Sequence, residues 1–296
     1  MELQQNKGIQ RGGYDAMIGN VKIKEKALSI FIYVLLAITA VFVLYPIVWI
    51  IIGSLNPGDT LFSTEIVPKN LTIKHYIELW QGTDYPLWYA NTLKIAFFNM
   101  IISTLLVVAA AYAFSRFRFP GRKQGLMAML ILQMFPGFMG MIAIYILLLQ
   151  MGLLDNHWGL ILVYAGGSIP FGAWLVKGYF DGLPKSLEEA AKIDGASHTT
   201  IFFKIMMPLS FPILTFIALT NFINPWMDFI FARLVLRSNE NKTLAIGLFE
   251  MVTGRGNTEF TKFAAGAVLV AVPITILFLF LQKYLIEGLK AGANKG

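Results

Sequence analysis

The sequence predicts an all-α polytopic membrane protein with six transmembrane helices and one short polar helix between the fourth and fifth. Three observations carry that fold class. The 296 residues are 56% apolar and 14% charged, with a mean hydropathy of +0.64, whereas a soluble domain carries roughly 25% charged residues. Six apolar runs, at about 28–54, 92–115, 125–149, 157–176, 205–230 and 263–286, each reach the roughly 20 residues that a span needs. Lysine and arginine are unevenly shared between the segments that join these runs.

Residues 1–27 are polar and carry Lys7, Arg11, Lys22, Lys24 and Lys26. No short apolar stretch with a small-residue cleavage site precedes the first run, so that span reads as retained. The segment after the second run holds Arg116, Arg118, Arg122 and Lys123. The segment after the fourth holds Lys177, Lys185, Lys192 and Lys204, and the C-terminal end of the last span and the tail hold Lys283, Lys290 and Lys295. The alternate loops hold only Lys69, Lys74, Arg233, Arg237, Lys242, Arg255 and Lys262. The positive-inside rule therefore places both termini in the cytoplasm. A net charge of +7 is thus explained by topology and not by a nucleic-acid surface. The organisation expected is a cytoplasmic tail at 1–27, a six-helix domain at 28–286 with a cytoplasmic loop at 177–204, and a cytoplasmic tail at 287–296. With no cysteine, the chain has neither disulfides nor thiol chemistry.

The first outer loop, 55–91, ends in Trp80, Tyr85, Trp88 and Tyr89, which read as an interfacial aromatic belt. The last outer segment, 231–262, contains a polar loop at Gly254-Arg255-Gly256-Asn257-Thr258. Several spans are interrupted. The third has Gln133, Pro136, Gly137 and Gly140, and the fourth has Gly166-Gly167 and Pro170. The fifth has Pro208, Pro212 and Pro225, and the sixth Pro273. Proline removes a donor and kinks a helix. In lipid the freed carbonyls need a partner, so such breaks face protein or a wet cavity.

Polar residues inside spans are costly and mark function or helix–helix bonding. The candidates here are Asn99, Gln133, Asn221, Asn224 and Asp228. Asn221, Asn224 and Asp228 sit at i, i+3 and i+7 and would share one helix face. They and Gln133 are candidates for lining a pathway. Interhelical hydrogen bonding explains the same residues equally well.

Residues 186–208 form an Ala-rich polar stretch between the fourth and fifth spans. Ser186 and Glu189 have capping-box spacing, and Gly195 suits a left-handed helix stop. A helix over about 187–194 would place Leu187, Ala190, Ala191 and Asp194 on one face, with Ile193 adding an apolar contact. Two turns are marginal alone, which calls for a supporting partner or a lipid surface.

Glu189-Ala190-Ala191, three residues, Gly195, nine residues, Ile205, then Met207-Pro208 resembles the docking-loop pattern of ABC-importer permeases. The run Ala111-Tyr112-Ala113-Phe114-Ser115-Arg116-Phe117-Arg118-Phe119-Pro120-Gly121 resembles the end of a span in carbohydrate permeases. The tail at 288–296 is similar to that of the smaller permease subunit of maltose/maltodextrin-type importers. The resemblance implies the type I ABC importer permease fold and a multi-pass protein of a bacterial cell membrane. It implies a heterodimer with a second permease, a cytosolic ATPase dimer that binds ATP and magnesium, and an extracytoplasmic sugar-binding protein. The docking loop (Leu187, Glu189, Ala190, Ala191, Ile193, Asp194 and Gly195) would meet the ATPase. The tail, Ala291, Gly292, Ala293, Asn294, Lys295 and Gly296, would reach into it. The loop Gly254, Arg255, Gly256, Asn257, Thr258 and Glu259 would touch the binding protein. The substrate implied is maltose or maltodextrin, with another oligosaccharide or a polyol as the alternative.

No ATPase is written in the chain, because no Gly-Lys dipeptide exists for a phosphate loop. His75, His157 and His198 lack metal-ligand spacing, and no cofactor is expected. An ion-coupled secondary transporter would show internal repeats and buried carboxylates. The spans here offer little beyond Asp228. The chain reads as a transport subunit and not an enzyme.

Overall fold

The computed structural model describes residues 2–58, 68, 70–253 and 259–293, with side chains for 26–58, 68, 70–253 and 259–286. Among the described residues the regular structure is entirely helical. Four helices are long and apolar enough to cross a membrane: α1 (Glu2–Ser54, apolar from Lys26), α3 (Tyr85–Arg116), α6 (His157–Asp181) and α13 (Phe260–Ala293, apolar to Ile286). A short helix α2 (Lys74–Gly82) precedes α3.

Two further crossings are broken. Helix α4 (Arg122–Gln133) turns by 97° at Pro136 into a 3₁₀ turn (Gly137–Gly140) and α5 (Met141–Gln150). A short helix α7 (Ser186–Ile193) follows α6. Then α8 (His198–Ile201), a π-helical turn (Phe202–Met206) and α9 (Met207–Leu209) bend by 80° at Ser210 into α10 (Phe211–Met227). Proline explains both bends. Pro136 has no N–H to continue α4, and Pro208 and Pro212 flank Ser210. Counting each bent pair as one crossing gives the expected six spans.

Helix α3 is the central post, packed chiefly against α6 and then α10. A Cβ on Gly172 of α6 would sit 2.8 Å from Val107 Cγ2, so only glycine lets these two helices approach so closely. Three apolar cores follow the post. At the α7 end lie Val107, Val108, Ala111, Tyr112, Val176, Phe180, Ile201 and Met206. At the opposite end one core gathers Ile95, Leu160, Ile161 and Phe231, and another gathers Leu79, Tyr85, Trp88, Phe222 and Trp226. Between them, the Asn99 amide donates to the Asn221 carbonyl at 2.7 Å and Ser103 donates to Asn99 at 2.8 Å, linking α3 to α10.

One expectation is corrected here. Tyr85 and Trp88 are core residues, 0% and 8% exposed, and only Trp80 of that group is substantially exposed. Tyr85 is buried against α13, its hydroxyl donating to the Gly266 carbonyl at 3.0 Å, and Trp88 is buried by the segment read as an outer loop. That segment contains α11 (Ile230–Val235) and α12 (Leu244–Thr253), and α12 packs against α3. A Cβ on Gly247 of α12 would fall 2.0 Å from the Trp88 ring. The α5–α6 turn is clipped to the same segment by Asp155. This is the only non-glycine residue with positive φ (54°) among the described residues. Its Oδ1 accepts from the N–H groups of Arg237 (2.8 Å) and Ser238 (3.0 Å).

Helix α13 continues to Ala293, so most of the segment at 287–296 is a helical extension of the last span. Seven helical residues span about 10 Å, where an extended chain would reach about 23–25 Å.

Candidate docking surface and translocation cavity

Helix α7 ends as the sequence requires. Gly195 has φ +80°. Its N–H donates to the Lys192 carbonyl at 3.0 Å, and the Ala196 N–H donates to the Ala191 carbonyl at 2.9 Å. This pair of bonds is a Schellman stop. The start differs from the expectation. The helix begins at Ser186, Lys185 is the cap residue, and no side chain caps it. The Lys185 carbonyl instead accepts from both Glu188 and Glu189. The capping box is absent because residue 185 is already helical, which carries Ser186 past the cap position.

The side of α7 that faces inward is set by Glu188, a residue the sequence reading passed over. Glu188 Oε1 accepts from Arg116 Nε at 2.5 Å, with the two side chains 8% and 9% exposed. The same guanidinium donates to the Phe180 carbonyl at 2.8 Å and to Ser115 Oγ at 2.8 Å, and lies 3.9 Å from Asp181. Asp181 in turn accepts from Lys177 at 2.5 Å and Ser115 at 2.6 Å. One buried cation thus joins the ends of α3 and α6 to α7. The available signal was amphipathicity: in α7 the position three residues before the half-buried Ala191 must face inward, and that position is Glu188.

The outward face of α7 carries Leu187, Glu189, Ala190, Ile193 and Asp194, all exposed. Ala191 does not belong to it, since it packs on the core at this end. Ile193 is 87% exposed, in a loop that is otherwise polar. Beside α7 lies a polar recess of about 380 Å³, lined by Arg118, Arg122, Lys185, Glu189, Lys192 and His198 among others. Ser197 starts α8 with a side-chain bond to the Thr200 N–H at 3.2 Å.

The bend after Gln133 and the break after Met227 shape a cavity of about 640 Å³ between α5, α6 and α10. Gln133, Asn221, Asn224 and Asp228 all line it, together with Tyr164, Ser168, Phe171, Phe216 and Thr220. Asp228 is not on a shared helix face, because α10 stops at Met227 and Asp228 is extended. It enters the cavity wall by that break. Its Oδ2 accepts from the Tyr164 hydroxyl at 2.5 Å and its Oδ1 from the Phe231 N–H at 3.1 Å. The Asn221 amide is spent on the Ile217 carbonyl at 2.8 Å. Asn99 lies outside the cavity and serves helix packing. Trp226 points the other way, edge-on to Tyr89 at 5.4 Å. Tyr164, Ser168 and Thr220 were not singled out from the sequence. Ordinary span residues become recognisable as lining only once α6 and α10 are paired.

The lining offers amides, hydroxyls and two exposed phenyl faces. Asp228 is its only charged group. Such a surface can exchange hydrogen bonds with hydroxyls and cover the C–H faces of a ring. No cluster of metal-ligating side chains occurs among the described residues. Residues Gly254, Arg255, Gly256, Asn257 and Thr258, and Asn294, Lys295 and Gly296, lie outside the described residues. Ala291, Gly292 and Ala293 are known only as backbone of α13. Glu259 is tied to its own chain, pairing with Lys262 at 2.8 Å.

A polar loop helix, broken spans and a central cavity are accompanied by a family match. Residues 105–290 fit the model of the binding-protein-dependent transport system inner membrane component. The chain belongs to that family. It is 45% identical over 283 residues to the galactooligosaccharides transport system permease protein GanQ of Bacillus subtilis, covering 95% of this chain and all of that one. It is 35% identical over 292 residues to the maltose/maltodextrin transport system permease protein MalG of Escherichia coli, with 92% and 97% covered. The fold matches a chain of a bacterial ABC transporter that imports the acidic polysaccharide alginate, with TM-score 0.75, 28% identity, and coverage of 88% and 97%. As a member of this family the chain is a multi-pass membrane transport subunit.

Proposed function

We propose that this chain is one permease of an ATP-driven, binding-protein-dependent importer of neutral oligosaccharides. The observation that carries the reading is the cavity, whose amides, hydroxyls and phenyl faces meet at the two span breaks with no basic side chain among them. A cavity without cations suits a neutral sugar. The relative at 45% identity handles galactooligosaccharides and the one at 35% maltodextrin. Galactooligosaccharide is therefore the first substrate to test and maltodextrin, which the sequence alone favoured, the second.

In this reading the outward face of α7 seats the cytosolic ATPase, which binds ATP and magnesium, and both termini lie on that side. Closure of the ATPase moves α7, and the Arg116–Glu188 pair carries that movement to α3 and α6. A second permease completes the pore. An extracytoplasmic binding protein delivers sugar at the α12 end, against the loop at 254–259. The end of α13 approaches the ATPase as a helix.

The test is uptake by the complete importer in proteoliposomes with its binding protein. Labelled galactotriose should be taken up on ATP addition and compete with maltotriose, while a uronate trisaccharide should compete poorly. Preferred uptake of the uronate would overturn the reading. If maltotriose outcompetes galactotriose, the substrate order reverses.

A further inference from the structure

A second groove lies between α4 and α6 at the α7 end, away from the central cavity. It consists of two adjoining hollows of about 470 and 370 Å³ that share Leu126 and Lys177. One hollow is basic, with Arg122, Lys123 and Lys177 around it. The other is apolar, walled by Trp174, Leu175, Tyr179 and Ile213. Trp174, Lys177 and Gly178 lie on one face of α6 at three-and-four spacing. A Cβ on Gly178 would meet nothing within 4 Å, so the groove floor is open there.

The charge in the groove is unbalanced. Lys177 has Asp181 at 2.5 Å. Arg122 has no carboxylate partner among the described residues. It is held in place by donating to the carbonyls of Phe114 (2.6 Å) and Ser115 (3.1 Å), so its charge is positioned and not neutralised. Lys123 is exposed and also lacks a carboxylate partner among the described residues. Trp174, 45% exposed, stands one turn from Lys177, as an aromatic at a membrane boundary does.

We propose that this groove binds an anionic phospholipid, with the phosphate against Arg122, Lys123 and Lys177 and an acyl chain along Trp174, Leu126 and Ile213. The pairing of a cationic hollow with an apolar one matches a headgroup joined to a chain. Basic pockets between spans on the cytoplasmic side attract anionic headgroups. A free phosphate would leave the apolar hollow unused, and a zwitterionic lipid would leave the positive charge uncompensated.

The complete importer would be placed in phosphatidylcholine nanodiscs doped with either phosphatidylglycerol or phosphatidylcholine carrying brominated chains. Bromine quenches indole fluorescence on contact. The Trp174 signal is isolated by subtracting a Trp174→Phe importer. The expected result is several-fold stronger quenching by the brominated phosphatidylglycerol. Lys123→Gln should weaken that preference about fivefold, the weight of one surface charge, and Lys123→Arg should keep it. Equal quenching by the two lipids overturns the proposal, as does displacement of the lipid by glycerol phosphate alone. Because the chain has no cysteine, Gln124→Cys reports what covers the groove. Cross-linking to another subunit instead of to a maleimide lipid would also overturn it.

Discussion

Arg116 and Glu188 form the residue-scale joint of the molecule. Removing one member of a buried ion pair strands the other and typically costs about 3–5 kcal/mol. Glu188→Ala is expected to lower the thermal midpoint of the detergent-solubilised chain. Arg116→Ala should lower it further, since the bonds to Phe180 and Ser115 go as well. An unchanged midpoint in both would show that the pair holds nothing. Asp155 acts through pH. Burial raises its carboxyl, but hydrogen bonding from Ser238, Arg237 and Asn241 together outweighs that, so it sits below its ordinary value of 3.8. A group depressed on folding stabilises fully above its unfolded value, and that contribution fades as pH falls through the folded one. Asp155→Asn keeps a residue that tolerates positive φ but drops the charge. It should be less stable than the parent at neutral pH, and the gap should close below about pH 3.8. A gap that stays constant with pH would show that the charge is irrelevant.

At the scale of elements, α7 was legible at its end and not at its beginning. A positive-φ stop has one strong signature, a glycine after an amphipathic run, and Gly195 supplied it. A helix start depends on the backbone of the residue before it, which Pro184-Lys185 set in a way no side-chain pattern reveals. Gly195→Val forces a β-branched residue into the left-handed region, at a cost of about 1–2 kcal/mol. Co-purification of the ATPase should fall in this variant, and Gly195→Asn should be milder. If both variants retain full docking, the stop does not position the helix. The broken spans were legible because proline has one mechanism. The burial of α12 was not, because a mostly apolar ten-residue stretch flanked by polar loops reads the same whether it packs on Trp88 or lies at a surface.

For the whole molecule, composition and charge placement were sufficient for six spans. Pairing of α3 with α6 and α10 was not readable, since the small residues that permit it also occur at lipid-facing positions. The cavity shows the same limit: Gln133, Asn221, Asn224 and Asp228 were visible in the sequence, and only the fold sets Tyr164, Ser168 and Thr220 beside them. Helix α1 extends this to the life of the chain. None of its most apolar stretch is buried within the molecule, and its main neighbour is α13 at the far end of the sequence. During synthesis the first span therefore enters the bilayer long before the helix it leans on has been made. It waits there with a bare flank, which quality-control proteases of the membrane can inspect. A cell making this subunit without its companions should clear it quickly, and pulse–chase labelling should show its half-life lengthening when they are co-expressed. The abundance of the transporter would then be set by its scarcest member and not by transcription of this gene.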